Sequence, residues 1–282
     1  MATQTDAPNF AALLDRAMTE PGQLHAAYTA FHGYSLGNQI LALFQCHARG
    51  IEPGPIATFP KWKERGRHVR KGEKALTLCQ PVTCKRRPAQ EDPDAADDGQ
   101  TFTRFIYRRA WFTLTQTDGH PYTPPSLPGW ETARALAALD VTEEPFTTLD
   151  GNVQGYAKGR TIAVSPIAAM PEKTRFHELA HVVLGHTAEA QLTDDDRTPR
   201  SIREVQAEAV ALLCCAALGL PGFEYSAGYI QYFRQHGGEL TEKHAQQIFK
   251  AADVILRAGR TETPTDGSES PVDDSHDGQV DG

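Results

Sequence analysis

The chain has 282 residues, 40% of them hydrophobic, with 23% charged residues and a formal net charge of -8. This length predicts two domains, and the apolar content is ample for packed cores. No apolar run approaches the roughly twenty residues of a membrane span and the start MATQTDAPNF is polar, which argues against a membrane protein or a signal peptide and predicts a cytoplasmic location.

In chain order, a first helix is predicted from Phe10 to about Thr19, and a second from about Leu36 to Arg49 with Ile40, Leu41, Leu43 and Phe44 as its apolar positions. Thr58 to Gly66 reads as a short helix stopped by its glycine. Ala75 to Thr83 alternates as a strand, and Thr103 to Thr115 reads as its long partner across the acidic stretch EDPDAADD. This half is basic in spite of the total charge. Ten Lys or Arg lie between Lys61 and Arg87 against Glu64 and Glu73, and Arg104, Arg108 and Arg109 add to them. Phe59, Trp62, Tyr107, Trp111 and Phe112 interleave with the cations. Single-stranded nucleic acid is bound by such a combination, because bases stack on rings while Lys and Arg neutralise phosphates. The alternative is a strand pair whose aromatics fill the core and whose cations face water.

Pro121, Pro124, Pro125 and Pro128 punctuate a semi-rigid linker. A second domain then opens with a helix from Trp130 to Asp140. A hairpin-like pair follows from Gly151 to Val164, turning near Gly159-Arg160, and helices are predicted around 169–187, 201–218, 224–236 and 240–258. Gly259 to Gly282 holds one arginine and seven acids among Gly, Ser, Thr and Pro, a composition that cannot bury a core and reads as a disordered tail. The expected organisation is an α+β chain divided as 1–118, a linker 119–129, 130–258 and a tail 259–282. The cysteines Cys46, Cys79, Cys84, Cys214 and Cys215 are odd in number and irregular in spacing, so they read as packing in a reducing compartment.

The chemistry concentrates in RFHELAHVVLGH. His177 and His181 are four apart and share one helix face, so both imidazoles can meet one metal ion, and Glu178 is rotated to reach a water on that metal. A catalytic zinc takes three protein ligands, and SIREVQAEAVALLCCAALGL supplies Glu204 and Glu208, again four apart. Glu208, among small and apolar neighbours, is preferred as the third ligand; Glu204 is the alternative ligand or the acceptor of a histidine N–H. Zn2+ is the expected cofactor.

The segment TFPKWKERGRHVRKGEKALTLCQPV, followed by FIYRRAWFTLTQTDG, resembles the N-terminal single-stranded-DNA-binding domain of ArdC-type antirestriction proteins, with Asn38 near the start of the preceding helix. FHELAHVVLGH, EVQAEAVALL and YIQYFRQ with AQQIFKAADVIL are similar, in the same order, to the zincin-like metallopeptidase domain of that family, akin to the ImmA/IrrE metallopeptidases. The resemblance spans most of residues 25 to 258. It implies a small α+β DNA-binding domain before a mainly helical metallopeptidase domain with a small sheet, carried by a plasmid or phage and protecting incoming DNA from restriction. Lys61, Trp62, Lys63, Arg67, Arg70, Lys71, Lys74, Arg108 and Arg109 are then the expected DNA-binding residues. Tyr229, at the family's Tyr-Ile position, is the expected oxyanion donor beside Glu178 as base, and the strand near Ile162 to Val164 is expected to align an extended substrate. A protein substrate or a component of a restriction system is the further partner implied. The alternatives are a metallopeptidase that cleaves a regulatory protein, and a DNA-binding protein whose zinc domain is not catalytic.

Overall fold

The structure, a computed structural model, describes residues 9–20, 22–85, 101–148, 150, 152–187, 199–222, 228 and 240–261. Apart from Gly228, the helix expected at 224–236 lies outside the described residues, as do Tyr229 and the acidic stretch beyond Thr261.

Helix α1 (Phe10–Thr19) begins where the Asn9 side chain accepts the amides of Ala11 and Ala12, two of the donors that a helix start leaves without a partner. α2 (Gln23–Phe31) and α3 (Leu36–Arg49) follow. α2 escapes the sequence reading because its nine residues are too few to display a helical period. Next come β1 (Ile56–Thr58), α4 (Phe59–Glu64), β2 (Arg67–Val69), β3 (Leu76–Lys85), β4 (Thr101–Thr113) and β5 (Thr117–Gly119). β3 and β4 form the expected long antiparallel pair, from Leu76 opposite Trp111 to Lys85 opposite Thr101, with β1 on the other side of β4. β2 and β5 make a separate antiparallel ribbon.

The second half starts with α5 (Thr132–Ala138), then β6 (Thr142–Glu143), β7 (Gly155–Lys158) and β8 (Thr161–Val164), arranged β6-β8-β7. β8 runs parallel to β6 and antiparallel to β7, so it is the middle strand. Ile162, expected at an open edge, faces Glu143 on one side and Ala157 on the other. Substrate alignment at Ile162 itself is thereby excluded, since both ladders are used. α6 (Pro171–Val183), α7 (Arg200–Ala217) and α8 (Glu242–Ala258) complete the described elements, and the class is α+β. None of the described helices is long and apolar enough to cross a membrane.

A single apolar core joins the two halves. Leu14, Leu24, Tyr28, Ile40 and Leu43 of the first three helices pack in one cluster with Phe176, Leu213, Ile248 and Ile255. Polar ties reinforce the joint. Glu242 at the start of α8 accepts the amides of Phe10 and Ala11, and Asp253 accepts that of Leu36 at the start of α3. A carboxylate at a helix N-terminus satisfies open N–H groups and complements the dipole. Asp253→Ala is therefore expected to cost about 1 kcal/mol, read as a lower urea midpoint at unchanged slope.

Candidate metal centre

α6 is oriented by its apolar side. Phe176, Leu179 and Ala180 are fully buried in the core, which turns His177 and His181 toward α7. α7 is likewise held by Val205, Ala209 and Leu212, and it presents Glu204 and Glu208 to the histidines. His177 Nε2 and His181 Nε2 are 3.1 Å apart, and Glu204 Oε2 lies 3.4 Å from the first and 3.6 Å from the second. Donor atoms held about 2.0–2.1 Å from a tetrahedral ion would be spaced by about 3.4 Å, so this trio fits a divalent metal. Among the described residues, His177, His181 and Glu204 are the group of metal-ligating side chains close enough to share an ion.

Glu208 occupies a different place from that expected. It lies on the far side of the His177 ring, with Oε2 3.1 Å from Nδ1, while its Oε1 is 2.7 Å from Lys173 Nζ. The geometry brings Glu204 to the metal-facing nitrogens and leaves Glu208 holding a ring from behind. One helical turn separates the two acids, and with α7 packed as it is, only the one nearer its N-terminus reaches the Nε2 atoms. His181 is held in the same manner, its Nδ1 3.1 Å from His186 Nδ1. Both rings therefore have a partner at Nδ1, the arrangement that orients a metal-binding imidazole.

His186 reaches back because the chain reverses at Gly185, which has φ +76, a left-handed conformation natural to glycine; the His186 amide then bonds the carbonyl of His181. Neither Lys173 nor His186 was singled out from the sequence. Lys173 had a readable signal, its four-residue spacing from His177, whereas His186 depends on the reversal.

The electrostatics follow from burial and these contacts. Burial alone would lower the pKa of His177, but hydrogen bonds with Glu204 and Glu208 outweigh it and hold it at about 9. Hydrogen bonds from His177 and His181 keep Glu204 well below the usual carboxylate range. Burial, with the neighbouring His181, depresses His186 to about 4. Glu178 is buried, which raises its carboxyl, with His177 and His181 close enough to oppose the rise. It lies against β7 at Gly155, where an added Cβ would stand 2.9 Å from Glu178 Oε1 and 2.7 Å from Thr174 Cγ2. Glycine there lets the sheet approach the carboxylate.

The basic half divides into structural and exposed groups. Trp62 is 0% exposed, donates from Nε1 to the carbonyl of Phe112 at 2.9 Å, and meets Tyr122 edge to face. A ring so enclosed cannot stack on a base, so the sequence expectation for Trp62 is corrected. Arg67 is also engaged within the fold, bonding Thr117 Oγ1, the Thr117 carbonyl and the carbonyl of His120 to hold β2 to β5. Arg70 pairs with Glu73 and Asp118, and Lys61 with Glu64. Lys63, Lys71, Lys74, Arg108 and Arg109 are exposed. So are Phe59 and, at 67%, Phe105, which sits on β4 beside Arg104 and which the sequence reading passed over.

Residues 15–112 match the family model described as the N-terminal domain of anti-restriction factor ArdC, and residues 137–254 match the IrrE N-terminal-like domain, a peptidase family. No curated protein matches the chain. Among solved structures, the metal-free antirestriction ArdC protein from R388 plasmid is similar at 22% identity and a TM-score of 0.50, over 88% of this chain and 94% of that one. Its Mn(II)-bound form is similar at 23% identity and 0.51, over 89% and 98%. At this identity the likeness speaks for the fold.

Proposed function

We propose, on the premise that this is an ArdC-type protein joining an ArdC N-terminal domain to an IrrE N-terminal-like domain, that it acts in antirestriction by binding single-stranded DNA and by a zinc-type metallopeptidase site. The ligands are His177, His181 and Glu204. The observation that carries this reading is the convergence of two Nε2 atoms and one carboxylate oxygen, with both Nδ1 atoms held from behind. A protein of similar fold, the R388 antirestriction protein, has a Mn(II)-bound form, which supports a divalent ion as the ligand of this trio. When bound, a divalent ion supplies Lewis acidity, polarising a peptide carbonyl and easing ionisation of water. Glu178, buried beside both histidines, serves as general base and then passes the proton to the leaving amine. Tyr229 keeps its proposed oxyanion role. We place the activity in the cytoplasm, where incoming DNA meets restriction enzymes, and keep the proposed division at 1–118, 119–129, 130–258 and 259–282.

Glu178→Ala tests the peptidase half. It is expected to retain the metal, since Glu178 is not among the ligands, and to lose peptide cleavage. Unchanged antirestriction in that variant would remove proteolysis from the protective role and leave occupancy of DNA, the second reading. What favours that second reading is the exposure of Lys71, Lys74, Arg108, Arg109 and Phe105 in the basic half.

DNA binding is checked by a salt titration on single-stranded oligonucleotides. Log affinity is expected to fall linearly with log salt. Replacing Lys71, Lys74, Arg108 and Arg109 together by glutamine should reduce the slope by about 0.7 for each phosphate that is no longer neutralised. A slope near zero, or one the variant leaves unchanged, would remove DNA from the proposal.

A further inference from the structure

We infer that Lys173 is a positioning residue of the metal centre, acting through Glu208 to hold the His177 ring with Nε2 turned to the ligand cluster. The inference rests on the metal-site reading of His177, His181 and Glu204 given above. Lys173 lies one turn before His177 on α6. Its Nζ is 2.7 Å from Glu208 Oε1, and Glu208 Oε2 is 3.1 Å from His177 Nδ1, so ammonium, carboxylate and imidazole form one line of contacts. The Lys173 and Glu208 side chains are only 17% and 9% exposed. Water competes poorly at such a pair, and either charge without its partner would be costly to keep there. Lys173 is also held from the outside. Gly222 has φ +125, and a Cβ at that position would stand 3.2 Å from Lys173 Cδ, so the loop after α7 closes over the lysine stem. This differs from a surface lysine meeting a surface acid, where both ends move and the pair contributes little.

The consequence concerns orientation. A Glu208 carboxylate deprived of Lys173 gains by turning toward solvent, and His177 then loses the acceptor at Nδ1. An imidazole without that acceptor is free to rotate, and its Nε2 then no longer points steadily to the ligand cluster. Arginine at 173 can replace the charge, whereas methionine replaces only the stem.

The experiment uses the full chain and two readouts. Calorimetric titration of metal-free protein with Mn2+ and with Zn2+ is expected to show Lys173→Met weakened about 10- to 100-fold, and Lys173→Arg close to the parent. The double variant Lys173→Met/Glu208→Gln should bind no more weakly than Glu208→Gln alone, because both substitutions break the same link. The second readout needs no metal. The His177 Nδ1–H proton resonance should be far downfield and slow to exchange in the parent and in Lys173→Arg, and lost in Lys173→Met. Parental affinity in Lys173→Met, or losses that multiply in the double variant, would overturn the inference. Failure of the parent to bind either ion would instead defeat the metal-site reading, and the proton resonance would then decide the role of Lys173 by itself: retained in Lys173→Met, it overturns that role; lost there and kept in Lys173→Arg, it supports it.

Discussion

His177→Ala and His181→Ala are each expected to weaken metal binding by about a hundred- to a thousandfold. A structural zinc site with four ligands is worth roughly 10–16 kcal/mol in apparent binding free energy, or about 3 kcal/mol per ligand, and each 1.4 kcal/mol is tenfold. Both rings present Nε2 to the same point, so neither can substitute for the other. Glu204→Ala belongs in the same class, because its Oε2 is the oxygen near both nitrogens. Glu208→Ala should lose less, about 10- to 100-fold, since it acts on the ring of His177 and not at the ligand point. Titration calorimetry, with metal content measured after dialysis, separates the two classes. The assignment of Glu204 as third ligand fails if Glu208→Ala loses the metal while Glu204→Ala keeps it.

Trp62→Ala is expected to destabilise the protein by about 3–5 kcal/mol, the usual cost of truncating a large buried aromatic. The ring is fully enclosed, its Nε1 donates a hydrogen bond to the Phe112 carbonyl that the variant loses, and Arg65 lies over both this ring and that of Tyr122. Loss of DNA affinity in this variant would then follow from unfolding of the N-terminal half. Phe105→Ala provides the contrast: with a ring 67% exposed, it should leave the melting temperature nearly unchanged. If a base stacks on the Phe105 ring, the variant should weaken binding to single strands by about 1–3 kcal/mol. A Trp62→Ala protein with parental stability and no DNA affinity would reverse this assignment.

Much of the fold was legible because it is written in local spacing. The helices Phe10–Thr19 and Leu36–Arg49 have the predicted bounds, and the strand pair across the acidic stretch is in place, each from apolar periodicity within one segment. β2, β5 and β6 were not legible, since two- or three-residue strands carry no readable alternation and exist because a partner strand lies alongside. The core shared between α1–α3 and α6–α8 was hidden for a similar reason. An amphipathic helix declares that it has a buried face but not what covers it.

The same distinction runs through the site. Four-residue spacing by itself determined that His177 and His181 share one helix face and Glu204 and Glu208 another, because helical geometry depends only on neighbours in the chain. Which acid reaches the Nε2 atoms was decided by how α7 lies against α6, and that depends on Leu179, Val205, Ala209 and Leu212 packing with residues far away in sequence. The charge pattern likewise marked the basic half. Only tertiary packing decided that Trp62 and Arg67 serve the fold while Lys71, Lys74, Arg108, Arg109 and Phe105 face solvent, because burial belongs to the whole core and not to the segment.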